Sequence, residues 1–342
     1  MHDSLTVVHI NDIASVATTI AAEQQRRGLT VRVEELPKPG AAWPWPWKLA
    51  LVPLRILLAS TTAAGIRRER PDLVHVHYAT QGFVGPMAGR PYVLHCHGTD
   101  VRGVAPGSPR GRYLGVVMRR AALVLVSTPD LLDDAARLVA DPVYLPNPID
   151  TSLFTPTGGA VADVLLAVRL DAVKGGDIAI GALAHLLELR PVTTATVIAA
   201  GAQLDLARAT FGSRVRFIDP VPHEAVPAVI GRHRAVIGQF RLGSLGQLEL
   251  ESMAMGVPVV TNVRHVAPGS EPPPVVQGAT ATAAAVALAA LLEDDAGRIR
   301  LGALGRAWVA RHHAVAAVVD RLAGLYEHAL APSAAYGREQ ST

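Results

Sequence analysis

Short runs of β-branched and aliphatic residues alternate with helical patterns along this chain, and the alternation breaks once and restarts. That rhythm admits few folds. Short runs that are apolar almost throughout read as strands buried on both faces, and strands joined through helices pair in parallel. In the first half, strands are predicted over 6–10, 29–34, 73–77, 92–95, 123–127 and 143–145. Helices are predicted over 13–27, closed by Gly28, over 49–70 with a kink at Pro53, and over 130–139. Pro146-Asn147-Pro148-Ile149-Asp150, followed by Thr155-Pro156-Thr157-Gly158-Gly159, interrupts the pattern as a domain boundary does. Strands then resume over 164–168, 196–200, 215–218, 235–238 and 257–260, and helices over 281–292, 298–311 and 316–329. The expectation is an α/β protein of two doubly wound, Rossmann-like domains, residues 1–155 and 156–315, facing a central cleft. A last helix, 316–330, is expected to pack back on the first domain, ahead of a polar tail, 331–342.

The 342 residues suffice for two such domains. Lys and Arg number 32 against 29 Asp and Glu, with no basic stripe interleaved with aromatics, so nucleic acid is not an expected partner. A single cysteine, Cys96, excludes an intrachain disulfide and fits a reducing compartment. The N-terminus lacks the basic and apolar regions of a signal peptide, and the apolar stretch 49–66 is broken by Pro53 and Arg55. A cytoplasmic protein is expected. Neither a Gly-x-Gly-x-x-Gly fingerprint nor a Walker loop is present, which leaves dinucleotide and P-loop readings without support.

The segment 242–260 reads as a small-residue loop, a short helix and a buried strand. Gly243, Ser244, Leu245 and Gly246 offer backbone N–H groups at a helix start, Glu251 is an acceptor on that helix, and Gly256 and Pro258 end it. Such a corner suits a phosphorylated, hydroxyl-rich ligand. Glu251-Ser252-Met253-Ala254-Met255-Gly256-Val257-Pro258-Val259-Val260 also resembles the donor-site motif of retaining glycosyltransferases of family 4, which have the GT-B fold. The match departs at Gly243, where the family has its first Glu. Glu249, two residues from Glu251 on a helix, points to the opposite face and reads as a surface carboxylate. Pro146-Asn147-Pro148-Ile149-Asp150 with Phe154 resembles the family's linker, Pro148 replacing a Gly.

Arg169 and Lys174, five apart across a Gly-flanked strand-to-helix turn, suit a diphosphate: the guanidinium as a fork, the ammonium as a point charge. The resemblance implies the same role, with Glu251 on the nucleotide ribose and the 243–246 loop on the sugar. His95-Cys96-His97-Gly98-Thr99-Asp100 resembles the family's His-Gly-Ser/Thr-Asp segment, which implies that His97 faces the donor sugar. His95 and His97 share one strand face and Cys96 takes the other, a geometry that weakens a three-ligand metal site, and no metal is expected. Asp100 either orients an acceptor hydroxyl or caps the following turn. His75 and His77 alternate on a strand as structural residues, with His77 able to reach the cleft. At the first strand-to-helix corner, Asn11 and Asp12 stand where the family often has glycines, and either cap the helix or contact the acceptor.

Trp43, Trp45 and Trp47, with Lys48 and the arginines at 55, 67 and 68, form either a peripheral seat on an anionic inner membrane face or a packed acceptor-side loop. The combined expectation is a metal-independent retaining glycosyltransferase. It moves a hexose-like sugar from a UDP- or GDP-linked donor to a small-molecule, glycan or lipid-linked acceptor, with no further cofactor. The alternatives are a catalytically weak or inactive GT-B nucleotide-sugar binding protein and a GT-B sugar epimerase.

Overall fold

The computed structural model describes residues 5–331 except 41, 42, 44–46, 48 and 49, so Trp45, Lys48 and the tail after Ala331 lie outside it. The chain divides into two compact units, Met1–Pro148 with Val315–Thr342, and Ile149–Ala314.

The first unit runs β1 (Thr6–Ile10), α1 (Val16–Arg26), β2 (Thr30–Glu34), α2 (Val52–Glu69), β3 (Leu73–His77), α3 (Val84–Ala88), β4 (Tyr92–Cys96), α4 (Pro109–Arg120), β5 (Leu123–Val126), α5 (Leu131–Ala136) and β6 (Val143–Tyr144). Its sheet is parallel in the order β2-β1-β3-β4-β5-β6. Successive strand residues serve opposite cores. Val8, Val74 and Leu94 pack on one face, while Val7, Leu73 and Val93 pack on the other. The second of these faces is covered by α1 and by the helix Val315–Leu330, which contributes Val318, Val319, Leu322 and Tyr326.

The second unit runs β7 (Ala162–Leu166), α6 (Gly176–Leu189), β8 (Ala195–Ile198), α7 (Leu204–Phe211), β9 (Arg216–Ile218), α8 (Val226–Ile230), β10 (His233–Ile237), α9 (Gln247–Ala254), β11 (Val259–Thr261), β12 (Val276–Gln277), α10 (Ala281–Glu293) and α11 (Asp295–His312); the helix Val315–Leu330 is therefore α12. Its parallel sheet has the order β12-β11-β10-β7-β8-β9. Val164, Leu166 and Ile237 pack against α6 and α10; Leu165, Val236 and Val259 pack against α9 and Trp308 of α11.

Two expectations about elements change. Pro53 does not kink a helix: it stands in the first turn of α2, where its missing N–H has no intrahelical partner to lose. The helix expected over 130–139 is only Leu131–Ala136. Helix α4 was unforeseen, although Ser108 caps it by accepting from Gly111 N at 3.0 Å and Pro109 opens it. That Ser-Pro start was readable.

Candidate functional site

Each sheet has one point at which the strand order reverses, and ligands of open α/β sheets lie outside the carboxyl ends of the strands there. In the second sheet that point falls between β7 and β10. The chain leaving β7 carries Arg169 and Lys174, and the chain leaving β10 carries the Gly243–Gly246 loop. The two corners are tied together: Phe240 N donates to Lys174 O at 2.9 Å. Gly175 lies where they touch, at φ +78°, and a Cβ there would stand 3.1 Å from Arg241 Cγ and 3.2 Å from Phe240 Cβ. Lys174 closes a short 3-10 turn, Ala172–Lys174, immediately before the 14-residue helix α6. The corner therefore adds a helix N-terminus to two cations. Arg169 is exposed and ion-paired with Asp171. The Ala202 N–H, then Arg169 and Lys174, hold the Asp171 carboxyl below its usual range.

Gly243 has φ +75°, and its carbonyl accepts from both Arg264 N and His265 N at 2.8 Å. A Cβ at this position would lie 2.8 Å from His265 Cδ2. The residue that departs from the family motif is thus the residue its backbone requires. Ser244 is buried with its Oγ unpartnered, and Leu245 is buried beside it. Gly246 corrects one expectation: its N–H is not open to ligand, because it donates to Glu249 Oε2 at 3.1 Å. Glu249 corrects another. It is 5% exposed, not a surface carboxylate, and its Oε1 also accepts from Gln239 N at 2.8 Å. Glu249 holds the loop that precedes α9 to the helix's first turn, a capping-box arrangement. Glu251 is 2% exposed, and its Oε1 meets His223 Nε2 at 2.8 Å. Burial pushes the Glu251 carboxyl up, and His223 and Gln247 pull it back. His223 in turn packs on Phe154, ring centroids 5.3 Å apart. No motif reading named His223; only the fold brings it to α9.

In the first sheet the order reverses between β1 and β3. Asn11 follows β1 at φ +63°, 1% exposed; its Nδ2 donates to His77 O at 3.4 Å and its Oδ1 accepts from Leu36 N. Asp12 accepts from Ala17 N at 2.9 Å and from Thr18 Oγ1 at 2.5 Å. Asp12 thus caps the start of α1, one of the two roles expected of the pair, whereas Asn11 takes neither and bridges the ends of β2 and β3. Asp100 is fully buried and accepts from the N–H groups of Ala79, His97 and Gly98, so it caps the turn after β4 and presents no free oxygen to an acceptor.

The carboxyl ends of β1, β3 and β4 also gather five histidines. The parallel register sets His9 opposite His75 and His77 opposite His95. Their rings stack from His9 and His75 through His77 and His95 to His97, with neighbouring centroids 4.3–5.4 Å apart. His9 Nδ1 lies 2.9 Å from His77 Nε2, and His77 Nδ1 lies 3.0 Å from His97 Nε2. His97 alone of the five is partly open to solvent. Burial holds the His9 imidazole down to about 4 and that of His97 to about 3, so all five are neutral at physiological pH. A separate pocket of about 390 Å³ in this unit is lined by Lys38, Arg55, Ile56, Thr80 and Gln81.

The family described as "Glycosyl transferase 4-like domain" matches residues 7–148. A D-inositol 3-phosphate glycosyltransferase of Xylanimonas cellulosilytica is 29% identical over 77% of this chain and 76% of its own length. A 2-deoxystreptamine N-acetyl-D-glucosaminyltransferase of Streptomyces fradiae is 27% identical over 68% of this chain and 65% of its own. Among solved structures, the fold is similar to that of Anabaena HepE in complex with UDP and glucose, with TM-score 0.70, 16% identity, and coverage of 94% and 99%. These relatives favour neither the epimerase nor the inactive binding protein. With two Rossmann-like units, the family match over residues 7–148 and these relatives, the chain is a glycosyltransferase with the GT-B fold, similar to those of family 4.

Proposed function

We propose that this glycosyltransferase is a retaining enzyme that moves a hexose-like sugar from a nucleoside diphosphate donor to a hydroxyl of a small polyhydroxylated ring. One observation carries the donor reading: Arg169, Lys174 and the N-terminus of α6 all lie on the chain that leaves β7 at the reversal point of the second sheet. Positive charge fixed there stabilises the diphosphate as it leaves with the bond electrons, which lowers the barrier without a protein nucleophile. Glu251, kept in place by His223, accepts from the ribose hydroxyls. Ser244 and Leu245 meet the sugar, and His97 takes the sugar-facing role that the His-Gly-Thr-Asp resemblance implies. UDP is the favoured nucleotide, since the Anabaena structure of the same fold holds UDP and glucose. A cyclitol acceptor is supported by the names of two relatives, which act on inositol 3-phosphate and 2-deoxystreptamine. The pocket bearing Lys38 and Arg55 offers Thr80 and Gln81 to ring hydroxyls and an apolar wall of Leu36, Val52, Ile56 and Phe83 to the ring's carbon face.

Donor turnover tests the whole reading. The protein is incubated with UDP- and GDP-sugars in excess chelator, with and without inositol phosphate or an aminocyclitol. Acceptor-dependent release of nucleoside diphosphate and a product with the donor's anomeric configuration are expected. An inverted product, or turnover that stops in chelator and returns with magnesium, contradicts it.

A further inference from the structure

His95 is 0% exposed, and neither of its ring nitrogens has a partner. An imidazole buried in that way costs stability that a leucine or phenylalanine would not, unless something binds it. His77 is its register partner on β3 and His97 follows just past β4, and one ring nitrogen from each of the three lies within 4.8 Å of the others. Two Zn–N bonds of about 2.0–2.1 Å at a tetrahedral angle place their nitrogens about 3.3–3.4 Å apart. His77 Nδ1 and His97 Nε2 are already 3.0 Å apart. Rotations of the rings close the remaining gaps.

The groups behind the trio have the polarity a metal ligand needs. Gln24 Oε1 accepts from His9 Nε2 at 2.9 Å, which leaves His9 Nδ1 bare to accept from His77 Nε2 at 2.9 Å. The proton of His77 is therefore on Nε2, and the Nδ1 lone pair points to His97. His77 thus gives its other ring N–H to a fixed acceptor, as metal-binding histidines do. Three neutral imidazoles suit late first-row divalent ions such as zinc, and the partly open His97 provides entry and room for a water as fourth ligand.

We propose that His77, His95 and His97 form a binding site for a zinc-like divalent ion, with His9 and Gln24 as the residues that orient His77. On binding, the proton on His97 Nε2 passes through solvent to its Nδ1, and no net charge is lost from the ring. Occupancy takes His97 away from the sugar, so the ion inhibits transfer; this consequence rests on the role given to His97 above.

The test uses untagged, full-length protein stripped with chelator. Cobalt(II) titration is expected to show one equivalent with the visible absorption of a tetrahedral site, displaced by zinc. His95→Phe keeps an aromatic ring in the stack and removes two unpaired nitrogens, which offsets the strain of its larger ring, and it loses that absorption. His97→Ala, at the open end, provides a second loss-of-ligand variant. Gln24→Leu weakens the ion roughly tenfold to a hundredfold without removing it. Absence of the cobalt signal, or a signal unchanged in both ligand variants, overturns the site. In donor turnover, one equivalent of zinc is expected to inhibit the wild type and spare His95→Phe. If the ion binds as described and turnover does not change, the metal site stands and the sugar-facing role of His97 falls.

Discussion

At the residue scale, the diphosphate reading rests on two side chains of different availability. Arg169 must leave Asp171 to reach a ligand, whereas Lys174 has no carboxylate hydrogen-bonded to it among the described residues. A charge-assisted contact is worth about 1.5–3 kcal/mol. Lys174→Ala and Arg169→Ala are therefore each expected to weaken UDP about tenfold to a hundredfold in calorimetric titration. Because the Asp171 ion pair must break, Arg169→Ala shows the smaller loss; unchanged affinity in both folded variants removes the diphosphate assignment. The histidine stack predicts a pH effect. His9 titrates near 6.5 when unfolded and about 4 when folded, and the other buried imidazoles shift the same way. Between those values the unfolded chain binds more protons, so stability is complete above about 6.5 and falls as the pH drops toward 4. Thermal melts across this range are expected to show the melting temperature of the first unit decreasing steadily with acid. A melting temperature flat from pH 7 to pH 4 contradicts the burial of neutral rings.

At the scale of elements, the corner before α9 shows why a motif match has to be read together with its backbone. A Glu at 243 would restore the family pattern, yet the φ of +75° and the His265 ring 2.8 Å from a Cβ oppose it. Gly243→Glu is expected to cost about 1–3 kcal/mol in urea unfolding and to bring no increase in donor turnover. Equal stability with faster turnover would show that the loop takes another conformation. The same corner separates what was legible from what was not. Gly256 at φ +72° and Pro258 end α9 as their chemistry requires, and both were readable. Glu249 was misread because helix rotation gives the direction of a side chain but not what waits there. Gln239 N, which Glu249 serves, arrives at the end of a different strand.

At the scale of the whole molecule, the helix α12 belongs to the first unit although it follows the second in sequence. It buries Val315, Val318, Val319, Leu322 and Tyr326 on the α1 side of the sheet, and Tyr326 hydroxyl meets His75 Nδ1 at 2.6 Å. At roughly 1.5–3 kcal/mol for each large apolar side chain, the loss is comparable to the total stability of a domain, about 5–15 kcal/mol. A chain ending at Ala314 is expected to lose the cooperative melting of its first unit in calorimetry, and a melt unchanged from the full chain counts against this ledger of burial. The tryptophan segment makes its own prediction. Trp43 and Trp47 are 52% and 62% exposed, and Ile56 and Leu57 of α2 are also open to solvent. Among the described residues no helix is long and apolar enough to cross a membrane, and peripheral attachment through this face is the prediction to test. We expect sedimentation with anionic vesicles that weakens with salt and falls when the three tryptophans become alanine. No sedimentation with either anionic or neutral vesicles ends the membrane reading.

The sequence alone determined the elements that depend on neighbours in the chain. Apolar runs, helix periods, Gly and Pro stops and the Pro146–Pro148 break act over a few residues, and they placed two parallel sheets and the cations after β7. Tertiary structure alone decided what depends on register between distant strands. His95 beside His77, Glu251 beside His223 and Gln24 behind His9 are pairs separated by 18, 28 and 15 residues. No local period encodes such separations, because each is fixed only when a whole strand or helix has packed and carried its side chains to one end of a sheet.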